Sequence, residues 1–422
     1  MKKNFTLSLI IASTALLACG NGTNSAENSD TIIQWRGDRQ GIFHETGLLT
    51  SWCPNGLELL WYFDGLGEGH SSPAIANNMI FIKGMNSDAM GTIFVFDLNG
   101  NLLNSEIYGK EWNRSFHGSR GTVTPSGDNI YFISGEGVIY AYEQRTLNLI
   151  WSRDLLEEFN AENTLFGICE SPLIVGDKVI ATPGGEKYNV VALNKHTGEL
   201  VWYTSGMGDR STYTSALFID TQEVPLIVQM TGNHALGIHA ETGELLWSFP
   251  KTNRLQLHAD TPVYSNNMIL LTSGYGQGAI MLLLINGGRD VEKVWASNEV
   301  LESQKGGVIR VGDYIFGSGH RVSPYWQCVN WYTGEVMWRE RLGEPNMGST
   351  IFSDGMLFLY TSRGALKLVR PSTEKFDIVS QFTITKGTDQ HISTPIIYNG
   401  VLYLRRGNTL MAFNLRKEVK SK

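Results

Sequence analysis

The sequence predicts an all-β protein, an eight-bladed β-propeller built from four-stranded blades. Two observations predict this fold. Short apolar strands separated by turns recur about every 45 residues, and a four-stranded unit at this period is typical of a propeller blade. The composition agrees, because 46 glycines and 11% aromatic residues stand beside only 18% charged residues. Such a composition suits many short strands joined by tight turns.

The first 31 residues are predicted to target and anchor the protein and not to belong to the folded domain. Lys2 and Lys3 precede an apolar stretch that is too short for a mature membrane-spanning helix, so residues 1–18 are read as a signal peptide. The stretch ends in Leu16-Leu17-Ala18-Cys19, which resembles a bacterial lipobox. That resemblance implies a lipid on Cys19, a flexible tether over residues 19–31, and sorting to the outer membrane. The alternative is a plain secretory signal with an incidental cysteine.

The best-formed repeat covers residues 171–202 and reads as four strands. Its last turn is Thr197-Gly198-Glu199, where glycine supplies the positive φ that a tight hairpin requires. The fourth strand ends in Trp202. Tryptophans recur at the same place in other repeats, at Trp151, Trp247, Trp295 and Trp338. We expect these side chains to pack between neighbouring blades.

The repeats also predict how the ring closes. Eight segments open a repeat, beginning at Ser71, Gly121, Ser171, Ser215, Thr261, Gly306, Ser349 and Ser393. The eighth repeat holds three strands, and an orphan strand at residues 57–63 precedes the first. This strand is predicted to complete the last blade, which removes the exposed edges. One domain then covers residues 32–417, followed by a polar tail at 418–422; seven blades remain the alternative.

Charge and cysteine content exclude several classes of protein. A formal net charge of −7 argues against general nucleic-acid binding. Cys53, Cys169 and Cys328 are far apart and show no Cys-x-x-Cys spacing, which argues against a disulfide framework and a zinc thiolate site. They are interpreted as buried thiols, with a single disulfide as the alternative.

The repeat core Ala-Leu-Asn-x-x-Thr-Gly-Glu-x-x-Trp at residues 192–202 resembles the pyrroloquinoline-quinone-like (PQQ-like) propeller family. The segment Trp-Arg-Gly-Asp-Arg-Gln-Gly at residues 35–41 is similar to a prefix of bacterial members, with Asp38 in place of a proline. The resemblance implies one of two branches. Dehydrogenases of the family hold a quinone with Ca²⁺ beneath an adjacent cysteine pair, which this chain lacks. BamB-like envelope lipoproteins are non-enzymatic, so no PQQ or other cofactor is expected here.

Polar residues just before the inner strands are expected to meet at one mouth of the central channel. The candidates for ligand binding are His70, Arg120, Glu170, Tyr213, Asp260, Lys305 and His391. Carboxylates would accept hydrogen bonds from a small ligand or glycan that the basic groups orient. Glu170 with Asp260 would suit an acid/base pair, and some histidines a metal ion. The alternative is that these groups pair across the channel and bind nothing.

Three long loops, at residues 104–118, 152–169 and 318–326, provide a second set of candidates. Their aromatic residues are Trp112, Phe116, Phe166, Tyr325 and Trp326. Aromatic side chains on loops of a rigid scaffold often anchor a partner. Packing over the blade edges is the alternative.

Together these patterns favour a monomeric, lipid-anchored envelope protein that binds a protein partner, with outer-membrane protein assembly as the expected process. No catalytic residue, metal site or nucleic-acid partner is expected. The alternative function is small-molecule or glycan sensing, or an uncharacterised enzyme, at the channel mouth.

Overall fold

The computed structural model describes residues 32–342 and 347–417. The predicted signal peptide, Cys19, the tether and the polar tail lie outside the described residues. Within them, no helix is both long enough and apolar enough to cross a membrane. Two short strands, β1 (Ile42–Phe43) and β2 (Leu59–Phe63), precede the repeats.

The repeats form the predicted four-stranded antiparallel blades. Blade 1 contains β3 (Ala74–Ala76), β4 (Met79–Met85), β5 (Met90–Asp97) and β6 (Leu102–Lys110). Blade 2 contains β7 (Thr124–Ser126), β8 (Asn129–Ile133), β9 (Val138–Glu143) and β10 (Leu149–Asp154). Blade 3 contains β11 (Leu173–Val175), β12 (Lys178–Ala181), β13 (Val190–Asn194) and β14 (Leu200–Thr204). Blade 4 contains β15 (Leu217–Asp220), β16 (Pro225–Met230), β17 (His234–His239) and β18 (Leu245–Pro250).

The second half of the chain continues the ring. Blade 5 contains β19 (Val263–Ser265), β20 (Met268–Ser273), β21 (Gly278–Ile285) and β22 (Asp290–Ser297). Blade 6 contains β23 (Ile309–Val311), β24 (Tyr314–Ser318), β25 (Trp326–Asn330) and β26 (Val336–Glu340). Blade 7 contains β27 (Gly348–Ser353), β28 (Met356–Thr361), β29 (Ala365–Arg370) and β30 (Asp377–Thr383). Blade 8 contains β31 (Ile396–Tyr398), β32 (Val401–Arg406) and β33 (Thr409–Asn414).

Helix is confined to two short pieces in the described chain. They are α1 (Leu155–Glu158), between blades 2 and 3, and a 3₁₀ turn at Asn286–Gly288 inside blade 5. Asp154 caps α1, because its carboxylate accepts from the backbone N–H groups of Leu156 and Glu157 at 3.0 Å each.

The predicted closure of the ring is confirmed. Strand β2 pairs antiparallel with β33 and becomes the outermost strand of blade 8, with Trp61 opposite Ala412. The two ends of the propeller are therefore joined by backbone pairing within one sheet. Eight blades, rather than seven, complete the ring.

The hydrophobic core lies between the blades. Six buried clusters each combine residues of two consecutive blades, and the largest one joins blades 7, 8 and 1 with residues from the N-terminal segment. The first strand of each blade is innermost, as contacts around the axis between β3 and β7, β7 and β11, β11 and β15, and β23 and β27 indicate. The expected role of the recurring tryptophans is confirmed, because each indole N–H donates to a carbonyl oxygen of the next blade. The pairs are Trp61 with Leu98, Trp151 with Lys195, Trp202 with Ala240, Trp247 with Gly288, Trp295 with Trp331, and Trp338 with Ser372.

Candidate functional site

The segment at residues 33–43 enters the central channel and is here named the plug. Ile33 forms an antiparallel bridge with Ile75 of β3, whereas β1 runs parallel to β27. Because all inner strands run in one direction along the axis, the plug must enter and leave through the same end of the channel. That end lies where the inner strands finish. The other end, where they begin, is the mouth that the sequence predicted.

Arg36 fixes the tip of the plug to blade 6. Its side chain is buried and donates to the carbonyl oxygens of Val308 at 2.9 Å and of Gly306, and also to Gln40 O at 3.2 Å. Burial lowers the pKa of Arg36 to about 10, against the attraction of Asp260. The guanidinium is still charged at neutral pH.

Arg39 makes the matching contacts on the other side of the channel. Its buried guanidinium donates to Ala216 O at 2.9 Å, Ser171 O at 3.3 Å and Pro172 O at 2.5 Å. Burial lowers the pKa of Arg39 to about 10 while Glu170 opposes the shift. The plug therefore joins blades 3 and 4 to blade 6 across the channel.

A cavity of about 360 Å³ lies between the plug and the mouth. Trp35 lines it from the plug side, and the indole Nε1 donates to Thr261 Oγ1 at 3.1 Å. The walls come from loops that precede the inner strands and from two loops inside blades 5 and 6. Besides Trp35, the lining includes His70, Phe116, Arg120, Phe166, Cys169, Tyr213, Leu257, Tyr275, Gln304, Lys305, His320, Arg321, Met347 and Ile392.

The seven polar residues predicted to meet at the mouth divide into two groups. Four of its residues line the cavity together: His70, Arg120, Tyr213 and Lys305. Glu170, Asp260 and His391 do not line it. The loops were placed correctly, but side chains at neighbouring positions in a loop point in different directions.

Glu170 is buried beside the plug. Its carboxylate accepts hydrogen bonds from the backbone N–H of Thr182 at 2.9 Å and from Thr182 Oγ1 at 3.0 Å. Burial raises the pKa of Glu170 to about 7, and the Thr182 hydrogen bonds and Arg39 oppose the shift. Asp260 accepts from Thr272 Oγ1 at 3.1 Å and from the Gly307 N–H at 3.0 Å. Each carboxylate thus has structural hydrogen bonds and faces one arginine of the plug.

His391 lies against blade 7. Its Nδ1 is 2.5 Å from the hydroxyl of Tyr360. Burial, followed by the charge of Arg406, lowers the pKa of His391 to about 4. The imidazole is therefore neutral and occupied by a local hydrogen bond.

The aromatic loop residues also separate. Phe116 is exposed and contacts Phe166 edge-to-face, with ring centroids 5.4 Å apart, and both line the cavity mouth. Trp112 is buried and donates to Ser115 O at 2.9 Å. Trp326 is buried against Phe376, whereas Tyr325 is half-buried.

The sequence did not single out the residues that close the cavity. In the sequence, Trp35, Arg36 and Arg39 stand out only as part of a family prefix, and that prefix predicts no position for them in the fold. The feature of the sequence that could have located them is the presence of two arginines and a tryptophan in a segment that precedes all the strands. His320 and Arg321 lie in the loop at residues 318–326, where the sequence indicates only the aromatic residues as candidates for binding.

Comparison with known proteins identifies the family. The family model described as outer membrane protein assembly factor BamB matches residues 89–338, which is more than half of the chain. The chain belongs to this family. No curated protein matches the sequence.

Solved structures extend the likeness of this BamB-family chain to the whole propeller. BamB from Moraxella catarrhalis is 15% identical with a TM-score of 0.61, covering 85% of this chain and 100% of that one. Quinohemoprotein alcohol dehydrogenase from Comamonas testosteroni is 11% identical with a TM-score of 0.63, covering 92% and 82%. A europium-containing methanol dehydrogenase is 14% identical with a TM-score of 0.61, covering 89% and 90%. Identities this low show the fold alone.

The described lining of this cavity does not supply the ligands that the Ca²⁺ ion of the family's dehydrogenases needs. Ca²⁺ requires several oxygen ligands with carboxylates among them, yet the described lining residues include no Asp or Glu. Nor do the described residues gather three or more metal-ligating His, Cys, Asp or Glu side chains. All three described cysteines are free thiols, but only Cys328 is buried as predicted. Cys169 is half-buried and lines the cavity, and the interpretation of Cys53 as a buried thiol is wrong because its side chain is exposed.

Proposed function

We propose that this BamB-family propeller is a lipid-anchored, monomeric scaffold that binds a protein partner in outer-membrane protein assembly. It carries out this role without PQQ or another cofactor. The observation that carries the proposal is a group of exposed apolar side chains around the cavity mouth. The family match supports the process, and the lipobox resemblance at Cys19 supports the anchor.

The mouth face is much more apolar than the opposite face. Five loops each place one large apolar side chain in solvent around the mouth: Phe116, Leu165, Met207, Leu255 and Val322. Leu165 and Val322 are the most exposed, at 60% and 63%. At the opposite face, the exposed side chains of this kind in the described turns and at the entrance of the plug are Tyr332 and Ile32. Exposed apolar side chains on several loops at one end of a rigid scaffold are typical of an interaction surface.

The plug orients this surface relative to the proposed anchor. Residue 33 enters the channel from the end opposite to the mouth, so the described chain begins on the side of the propeller away from the mouth. The mouth face is therefore turned away from the point where the tether joins. A partner can occupy the mouth face without competing with the anchor.

Affinity purification from native membranes tests the proposal. The wild type is compared with a mouth variant, Leu165→Ser with Val322→Ser, and with a matched control, Leu103→Ser with Ile107→Ser. The control removes two apolar side chains of similar exposure, 53% and 55%, from the outer strand of blade 1. We expect an outer-membrane assembly subunit to co-purify stoichiometrically with wild type and control, and about tenfold less with the mouth variant. Absence of any assembly subunit with the wild type would overturn the proposed function.

A further inference from the structure

We propose that the cavity between the plug and the mouth binds a small organic anion, a carboxylate carried on a flat apolar body, without a metal ion. The proposal concerns the interior of the channel and does not depend on the scaffold function. It rests on the charges that line the cavity, on buried donors without partners, and on the shape and chemistry of the walls.

The lining is cationic. Arg120, Lys305 and Arg321 line the cavity, and no carboxylate does so among the described residues. Lys305 makes no hydrogen bond or ion pair with the rest of the chain, as far as the described residues show. Burial and the neighbouring charge of Arg321 lower its pKa. An uncompensated, largely desolvated ammonium is costly unless an anion joins it.

Several nitrogen atoms that border the cavity are buried and have no hydrogen-bond partner. The side chain of His70 is only 7% exposed, and neither of its ring nitrogens makes a hydrogen bond. The nearest carboxylate oxygen, from Asp389, is 3.9 Å from Nε2. Arg120 Nη2 donates to Ser115 O at 2.9 Å and to Phe116 O at 2.6 Å, but its Nε is unpartnered.

On the opposite wall, the Nδ1 of His320 is also buried and makes no hydrogen bond, and the nearest carboxylate oxygen, from Glu302, is 3.8 Å away. Buried polar groups are almost always hydrogen-bonded, and an unmade bond destabilises the fold. Arg120 and both imidazoles carry an N–H donor, since even a neutral imidazole keeps one, so these three residues around one cavity are consistent with a missing acceptor. A carboxylate supplies two acceptor oxygens and the compensating charge.

The remaining walls fit a flat apolar body. Trp35 closes the base, while Phe116, Phe166, Tyr213 and Tyr275 contribute rings and Leu257 an aliphatic side chain. The volume of about 360 Å³ lies at the lower end of the range of small-molecule sites. The lining also contains hydroxyl and amide groups, among them Thr122, Ser215 and Gln304, but these are neutral and do not compensate the charges of its cations.

Calorimetric titration of the full-length chain in detergent tests the site, with protein-free detergent as the blank. The probes are 2-naphthoate, its uncharged amide 2-naphthamide, and maltose as a neutral glycan. We expect 2-naphthoate to bind with 1:1 stoichiometry and at least about tenfold more tightly than the amide, because charge-assisted hydrogen bonds need the carboxylate. Equal binding of the amide, binding of maltose alone, or no binding of any probe would overturn the proposal.

Two variants locate the binding. Lys305→Met removes the unpartnered ammonium and breaks no hydrogen bond in the described chain, so the fold is retained; Arg321→Gln is a second variant at the rim. Each should weaken 2-naphthoate binding about tenfold. The ligand-free Arg321→Gln protein should melt at the wild-type temperature, and the ligand-free Lys305→Met protein at that temperature or above it, because it no longer carries a desolvated charge. The matched control is Lys375→Met, whose side chain is 72% exposed on blade 7. Unchanged affinity in both cavity variants, or an equal loss in the control, would contradict the assigned site.

Discussion

Two buried arginines hold the plug, and they show what sequence reasoning misses at the scale of single residues. Arginine is seldom buried, so neither Arg36 nor Arg39 was assigned to the interior. Each guanidinium is instead desolvated in the channel and donates to carbonyl oxygens of residues that directly precede the inner strands. The polar residues at the mouth were predicted better, because the residues that directly precede the innermost strands all lie at one end of a propeller. Which of them line the cavity depends on side-chain directions that a repeat does not specify.

Replacing Arg39 should destabilise the whole ring. Arg39→Gln leaves three carbonyl oxygens and Glu170 without their cation, so we expect a loss of about 3 kcal/mol in the free energy of unfolding. The matched control is Arg370→Gln, since Arg370 pairs with Asp377 at 2.6 Å but is 61% exposed. Its cost should be at most about 1 kcal/mol. Equal effects in urea denaturation would show that the plug does not hold the ring.

His258 should make stability sensitive to acid. It is fully buried, with Nδ1 2.9 Å from Ser273 Oγ and Nε2 3.0 Å from Lys251 O. Burial, and then the charge of Lys251, lowers the pKa of His258 to about 4 from its ordinary value of 6.5. Between these values the unfolded chain binds a proton that the folded chain does not, so stability falls as the pH falls.

The contribution of His258 between pH 7 and pH 5 is about 2 kcal/mol. His258→Gln should therefore be less stable than wild type at pH 7 but lose about that much less on acidification. Urea denaturation at the two pH values measures both quantities. His196→Gln, at a side chain 59% exposed, is the control and should keep the acid sensitivity of the wild type. An identical pH dependence of wild type and His258→Gln would refute the assignment.

At the scale of the strand and turn, the sequence was most informative. The Thr-Gly-Glu turn and the tryptophan that follows it predicted both the hairpin and the contact between blades. The structure adds the reason for the glycine. A Cβ on Gly198, where φ is +75°, would lie 2.8 Å from the indole of Trp151 of the preceding blade. The same contact recurs between Gly243 and Trp202 and between Gly334 and Trp295.

Gly198→Ala should therefore lower the free energy of unfolding by more than the strain of the left-handed backbone conformation alone. A left-handed residue with a Cβ costs about 1–2 kcal/mol, and overpacking against Trp151 adds about 1–3 kcal/mol. Gly176→Ala is a close control, because Gly176 has φ of +58° and open space around the added Cβ. We expect only the backbone cost there. If the two variants have equal unfolding free energies, the Trp151 contact does not discriminate against a side chain at the turn.

At the scale of the whole molecule, the N-terminal segment has two roles in the propeller. Strand β2 supplies the fourth strand of blade 8, and the plug fills one end of the channel. Strand β2 was predictable, because one repeat lacked a strand and an unassigned strand preceded the repeats. The plug was not, since its contacts are with backbone carbonyls of distant blades and leave no repeat in the sequence. The result is a channel closed on one side and open at an apolar mouth, with a cationic cavity between.

We expect a partner in outer-membrane assembly to occupy the mouth face. Site-specific photo-crosslinking in living cells tests it most directly, with the crosslinking residue placed at Leu165 or Val322, and at Leu103 or Tyr332 as exposed controls. Crosslinks from the two mouth positions to one subunit of the assembly machinery, and none from the controls, are the predicted result. Crosslinks only from the controls, or none from any position, would contradict it.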